Sequence, residues 1–140
     1  MTPGQIAIAA GHALVGWAYC AALIGIGSQF MTMQATLIVH AIGAPLGFAL
    51  VSWLYFAKFG FTRPLHTAGL FLAVVVGLDI FVVALFIEKS FAMFASPLGT
   101  WLPLGLIFTA TYGVGKVVEG AREAGRKEDG TGAAPGKNRE

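Results

Sequence analysis

The chain has 140 residues, of which 56% are hydrophobic and 11% are charged, and its formal net charge is +2. A soluble domain usually carries roughly 25% charged residues, and a fold this small buries only about two-thirds of the surface that its unfolded chain exposes. The composition therefore excludes an ordinary water-soluble domain. It predicts a lipid bilayer as the partner of the apolar surface, and no nucleic acid as a partner.

Four long apolar runs divide the chain. Each approaches or exceeds the roughly 20 residues that cross about 30 Å of hydrocarbon as an α-helix. A closed barrel of strands would need eight or more segments, so the runs are predicted to be helices. Short connections favour an all-α, up-down-up-down four-helix bundle. The predicted transmembrane helices cover about residues 6–26, 33–56, 65–87 and 98–118.

The third run tests this interpretation because it contains Asp79. An Asp near the centre of a membrane helix costs roughly 2.5–3.5 kcal/mol, and each Leu, Ile, Phe or Val gains about 0.3–0.6 kcal/mol. Residues 65–87 contain fifteen such apolar residues, which together gain roughly 4.5–9 kcal/mol. Insertion is therefore expected despite the carboxylate.

The C-terminal part of the chain has a different composition. Residues 1–118 form the predicted transmembrane domain, and residues 119–140 are rich in charges and glycine. Such a segment has little to bury. A short helical extension followed by a mostly disordered cytoplasmic tail is expected.

The distribution of basic residues predicts the orientation. Of the nine Lys and Arg residues, only Lys89 lies on the side of the first and third connections. Basic residues near helix ends remain cytoplasmic. Both termini are therefore predicted to be cytoplasmic.

The predicted topology converts positions into depths for the polar residues of the outer half. His40 lies seven residues from the start of its helix and Asp79 eight residues from the end of its own, which is about 10 and 12 Å below the same boundary. A buried Asp needs a partner, so a His40–Asp79 contact, direct or through water, is predicted. Thr36 projects from the same side of the second helix as His40, and the three residues form the predicted polar core or proton site.

A second polar level is predicted in the inner half. His12 and Tyr112 each lie about 9 Å from the inner boundary. Thr109 is the other polar residue assigned to this level on the fourth helix.

The sequence gives no motif for a metal or another cofactor. It has one cysteine, Cys20, and no HxxH, HExxH or paired-cysteine spacing of the kind found in zinc sites. A haem held by His12 and His40 is disfavoured because their depths differ by roughly 10 Å. No cofactor, no metal site and no catalytic residue is predicted.

Two stretches carry a resemblance to known sequences. HAIGAPLGF, residues 40–48, and MFASPLGTW, residues 93–101, resemble segments of an uncharacterised group of small bacterial four-helix membrane proteins. The resemblance implies a bacterial inner-membrane setting and brings no activity with it. The chain is also similar in size to small multidrug-resistance transporters, but its first helix lacks the membrane-embedded Glu that defines them.

Three classes of function remain open at this point. The leading interpretation is a non-enzymatic accessory subunit of a larger membrane complex, or a homo-oligomer with a structural polar core. The first alternative is a proton-coupled small-solute transporter or channel that uses Asp79 and His40. The second alternative is a membrane enzyme or quinone-binding protein that uses the same two residues as an acid/base pair.

Overall fold

The computed structural model describes residues 2–87 and 89–131. All regular structure in this part of the chain is helical. Four helices are long and apolar enough to cross a membrane, spanning Pro3–Phe30, Met33–Lys58, Pro64–Ile87 and Pro97–Gly130. The prediction of four membrane-spanning helices is confirmed at this level.

The first two helices are joined by a two-residue connection. Helix α1 spans Pro3–Phe30 and α2 spans Met33–Lys58. Thr2 caps α1 in a reciprocal arrangement, accepting from the Gln5 amide while the Gln5 side chain accepts from the Thr2 amide, which satisfies two otherwise free donors. Helix α1 begins three residues before its predicted start and ends four residues after its predicted end. Helix α2 begins where it was predicted and ends two residues later.

The third and fourth spans each contain a wider, π-type stretch. Helix α3 spans Pro64–Leu78 and continues as a π-helical segment, Asp79–Ile87. A short 3₁₀ turn, Ala92–Ala95, and a second π segment, Pro97–Trp101, precede α4, Leu102–Thr131. The second π segment ends two residues before Pro103, which has no N–H for the Gly99 carbonyl that an α-helix would pair with it.

The charged part of α4 includes the predicted helical extension. The helix continues to Thr131, so this extension covers residues 119–131 of the segment that was predicted to be mostly disordered. Its anchor is Arg122, whose guanidinium bonds to backbone carbonyls at the end of α2. The remainder of the predicted tail, 132–140, lies outside the described residues.

The helices pack in the order α1, α2, α4, α3 around the bundle. Close contacts place Gly27 against Thr36 and Gly16 against Phe48, so α1 and α2 run in opposite directions. Ser52 meets Thr111 and Phe56 meets Gly115, so α2 and α4 run side by side in the same direction.

Buried aromatic rings fill the middle of the bundle and the half in which α1 begins and α2 ends. Phe48, Tyr55 and Phe71 have no exposed surface. Their rings meet edge to face, with centroids 6.3 Å apart for Phe48 and Phe71 and 5.8 Å apart for Tyr55 and Phe71, a favoured geometry for aromatic pairs. Many large apolar side chains face outward instead, as expected for a surface solvated by lipid.

Candidate functional site

Asp79 lies where α3 passes into its π segment. Its Oδ1 accepts a hydrogen bond of 2.9 Å from Nε1 of Trp17 in α1. The carboxyl group is therefore held by an indole from the neighbouring helix. Turns of π type are rare and occur frequently at functional sites, which makes this position a candidate on geometry as well as on chemistry.

His40 lies on the buried side of α2 with 6% of its surface exposed. Its Nδ1 is buried and has no hydrogen-bond partner within the part of the chain that the structure describes. Buried polar atoms without a partner are uncommon in folded proteins and call for an explanation. The predicted His40–Asp79 contact, direct or through water, is not present in its direct form, since the Asp79 hydrogen bond is to Trp17.

His40 and Asp79 nevertheless line one cavity, which offers water a volume of about 80 Å³. The polar part of its wall also includes Trp17, Cys20 and Thr100. The apolar part comes from all four spans, with Ile24, Val75, Val83, Leu104 and Ile107 among its residues. The depth argument from the sequence thus places the two titratable residues at one level, and the structure adds a shared space.

Thr36 does not line this cavity, although it is almost completely buried at 1% exposure. Its hydroxyl donates to the Thr32 carbonyl one turn earlier at 3.0 Å. Its methyl group faces Gly27 across the α1–α2 interface. The structure therefore gives Thr36 a packing role at the helix interface.

The second predicted polar level is not assembled from the three residues assigned to it. His12 Nδ1 donates to the Ile8 carbonyl at 2.8 Å, and its ring meets Tyr55 and Phe59 edge to face. Thr109 is exposed and bonds to Gly105 of its own helix. Tyr112 is 39% exposed, so neither α4 residue faces His12 across the interior.

Other polar residues, which the sequence reasoning missed, occupy the interior in that half. Thr111 is fully buried and accepts from the Ser52 hydroxyl at 3.1 Å. Tyr55, Thr62 and Thr67 form a chain of hydroxyl contacts near the α2–α3 connection. Hydroxyl residues are common at helix interfaces in lipid, but the apolar residues around each helix do not reveal which hydroxyl points inward.

Trp17 is the other missed residue of the site. Tryptophan is enriched at the two membrane interfaces, whereas Trp17 stands near the middle of α1. A tryptophan at that depth needs a partner for its indole N–H. The position of Trp17 far from either interface is therefore the signal by which the sequence could have identified it.

The described residues contain no group of three or more His, Cys, Asp or Glu side chains that could hold a metal ion. His40, Cys20 and Asp79 share the cavity wall without forming such a cluster. The cavity is also smaller than the roughly 150 Å³ that holds a benzene ring in a protein interior. The arrangement is suited to water and protons more than to a metal or a ring-sized cofactor.

No protein-family model, curated protein or solved structure matches this chain significantly. The fold and the site are those of a multi-pass membrane protein with a small, mostly apolar cavity that is lined by residues of all four spans, His40 and Asp79 among them.

Proposed function

We propose that this chain is a small proton-coupled transporter or channel in which Asp79 and His40 bind the proton. The observation that carries the proposal is the shared cavity, which is lined by His40 of α2 and by Asp79 of the third span. Ionisable residues inside membrane spans are costly and mark proton or substrate pathways by default. If His40 only kept the Asp79 carboxyl satisfied, it should contact that carboxyl, but the hydrogen bond comes from Trp17.

The proposed setting is a bacterial inner membrane, with both termini cytoplasmic and an up-down-up-down arrangement of the spans. The basic residues of the second connection and of the segment after the fourth span support this orientation. A C-terminal fusion tests it: a fluorescent protein should be fluorescent there, and periplasmic alkaline phosphatase inactive. The reverse pattern would overturn the orientation.

The transport function predicts a proton flux that depends on Asp79. The full chain would be reconstituted in liposomes containing a pH-sensitive dye, and a potassium gradient with valinomycin would impose a potential. Proton entry should exceed that of protein-free liposomes, and Asp79→Asn should abolish the excess. Thr109→Val is a matched control because Thr109 is exposed and lies outside the cavity. Equal flux in the wild type and in Asp79→Asn would contradict the proposal.

A single copy leaves little room for a pathway, because buried rings fill the bundle between the cavity and its N-terminal end. The proposal therefore includes either a conformational change in this region or a homo-oligomer in which copies cooperate. Crosslinking in native membranes separates these two arrangements. A monomeric protein with full flux would exclude the oligomer.

The second candidate function is a structural one, as an accessory subunit or a homo-oligomer without transport. The Trp17–Asp79 hydrogen bond favours it, because the bond ties α1 to the third span. In that case Asp79→Asn should leave all phenotypes of the host unchanged, and loss of the Trp17 indole should reduce only thermal stability. Purification from native membranes under mild detergent would then recover the chain with a partner or as an oligomer.

A further inference from the structure

Two polar residues that line the cavity, His40 and Asp79, have unused hydrogen-bonding capacity. His40 Nδ1 has no partner among the described residues, and its side chain is 94% buried, with 6% exposed. A carboxyl group has two oxygens with about four acceptor positions when ionised, and the structure gives Asp79 one donor, Trp17, at Oδ1. The described residues therefore leave His40 Nδ1 without a partner and leave Asp79 with acceptor positions to spare.

The size of the cavity restricts what that partner can be. One water needs about 10–15 Å³ of accessible volume together with two to four polar partners, and the cavity provides about 80 Å³. Its polar wall contains His40, Asp79 and Thr100, from three of the four spans. Several waters fit this space, which is about half the roughly 150 Å³ of a protein cavity known to hold a benzene ring.

We infer that a small cluster of water molecules occupies this cavity and connects His40 Nδ1 to the Asp79 carboxyl group. The site is therefore selective for water and protons over solutes as large as an aromatic ring. The inference deepens the proposed function and rests on it in taking Asp79 as the proton acceptor.

The water cluster gives the two residues a balanced proton-exchange step. When His40 is protonated, its Nδ1–H bond breaks and the proton joins a water molecule. That water releases one of its own protons to the Asp79 carboxylate, so that a neutral imidazole and a carboxylic acid result. Cys20, from α1, is the other titratable side chain on the cavity wall, and the step does not use it.

Water-edited solid-state NMR of the full chain in lipid bilayers tests the inference directly. Magnetisation is transferred from water protons to histidine rings labelled with ¹³C and ¹⁵N and to phenylalanine rings labelled with ¹³C. His66 is exposed and serves as the hydrated reference, and the fully buried ring of Phe48 serves as the dry reference. The His40 signal should build up at a rate close to that of His66. A rate as slow as that of Phe48 would overturn the inference.

Two substitutions establish where the water lies. Asp79→Leu removes the carboxyl partner and should cause loss of water transfer to His40, with the His66 transfer unchanged, whereas Thr109→Val should alter neither. Cys20→Leu fills part of the cavity and should cause the same loss, so the test does not depend on the folding of the Asp79 variant. Retention of full transfer in a folded Cys20→Leu protein would contradict the proposed location.

The two proposals can fail separately. If water reaches His40 but Asp79→Asn leaves proton flux unchanged, the hydrated cavity stands and the transport function fails. If His40 is dry and the flux still depends on Asp79, the transport function stands and the water cluster is excluded.

Discussion

Trp17 Nε1 donates a hydrogen bond of 2.9 Å to Asp79 Oδ1, which joins α1 to the third span across the bundle. The partner of the buried carboxyl group is thus an indole and not an imidazole. An indole N–H can only donate, so it pairs with the carboxyl oxygen whether or not Asp79 carries a proton on its other oxygen. This contact holds the carboxyl group in place through one of its two oxygens.

Removal of the indole donor should destabilise the fold modestly. Trp17→Phe is expected to lower the free energy of unfolding by about 0.6–2 kcal/mol, the range for hydrogen bonds between membrane helices. Asp79→Asn should lose less, because its side-chain carbonyl can still accept from Trp17. The measurement is unfolding in mixed micelles with increasing fractions of denaturing detergent.

The control for this experiment is Trp53→Phe, at a tryptophan that is 52% exposed. It changes the same side chain without removing an interior contact to Asp79. If Trp17→Phe and Trp53→Phe had the same free energy of unfolding, the Trp17–Asp79 hydrogen bond would contribute nothing measurable to stability. A structural role of Asp79 through this bond would then be excluded.

The close approach of α1 and α2 predicts a second effect. A Cβ added at Gly16 would lie 2.7 Å from Cζ of Phe48, whose ring is fully buried and packed against Phe71. Because that ring cannot move away, Gly16→Ala should cost about 1–3 kcal/mol, the typical cost of overpacking a core. The free energy of unfolding in mixed micelles measures it.

Gly25→Ala in the same helix is the matched control. Nothing lies within 4 Å of the position that its Cβ would take, so the better helix propensity of alanine should stabilise by up to about 1 kcal/mol. Equal effects at Gly16 and Gly25 would mean that α1 and α2 are farther apart than the structure shows.

Much of the fold follows from the sequence, and the rotation of each helix does not. Length, apolarity and the rise per residue identify the four spans and place His40 and Asp79 at one depth, which the shared cavity reflects. Rotation about the helix axis is a different quantity. In a lipid-solvated helix both the inner and the outer face are apolar, so hydrophobicity does not distinguish them.

The fourth span illustrates this limit. Thr109 and Tyr112 were assigned to the interior from their depth, but the buried polar residue is Thr111. A change of one or two positions rotates a side chain by roughly 100–200° around a helix with 3.6 residues per turn. A helical extension of the fourth span was predicted, but its contact with α2 was not, because Arg122 reaches carbonyls that belong to a distant segment of the chain.

That Arg122 contact predicts a third effect. Its Nη2 lies 2.5 Å from the Phe56 carbonyl and 3.0 Å from the Ala57 carbonyl. These carbonyls belong to the last turn of α2, where the helix itself provides no donors and a cation is favourable. Arg122→Met should therefore cost about 0.3–1 kcal/mol and speed amide hydrogen exchange both in the α2–α3 connection and in residues 119–131.

Arg126→Met removes a charge of the same sign from an exposed position one turn farther along α4. It should leave exchange in the α2–α3 connection unchanged. Unaltered exchange in Arg122→Met would show that the extension of α4 is held by something other than this contact.

The buried hydroxyl pair between α2 and α4 predicts a fourth effect. Ser52 Oγ donates to Thr111 Oγ1 at 3.1 Å, and neither residue has exposed surface. A double-mutant cycle with Ser52→Ala and Thr111→Val should give a coupling energy of about 0.6 kcal/mol, the average for side-chain hydrogen bonds in membrane proteins. The cycle isolates the pair because each substitution alone removes the bond.

Replacing Thr111→Val by Thr109→Val in the same cycle gives the control. Thr109 is exposed and bonds to the Gly105 carbonyl of its own helix, so its coupling to Ser52 should be zero within error. Coupling of Ser52 to Thr109 instead of Thr111 would mean that α4 is rotated by about 200°, or about 160° in the opposite sense, from its orientation in the structure, because each residue turns the helix by roughly 100°. The cycle therefore measures the quantity that the sequence left undetermined, which is the face of the fourth span that points into the bundle.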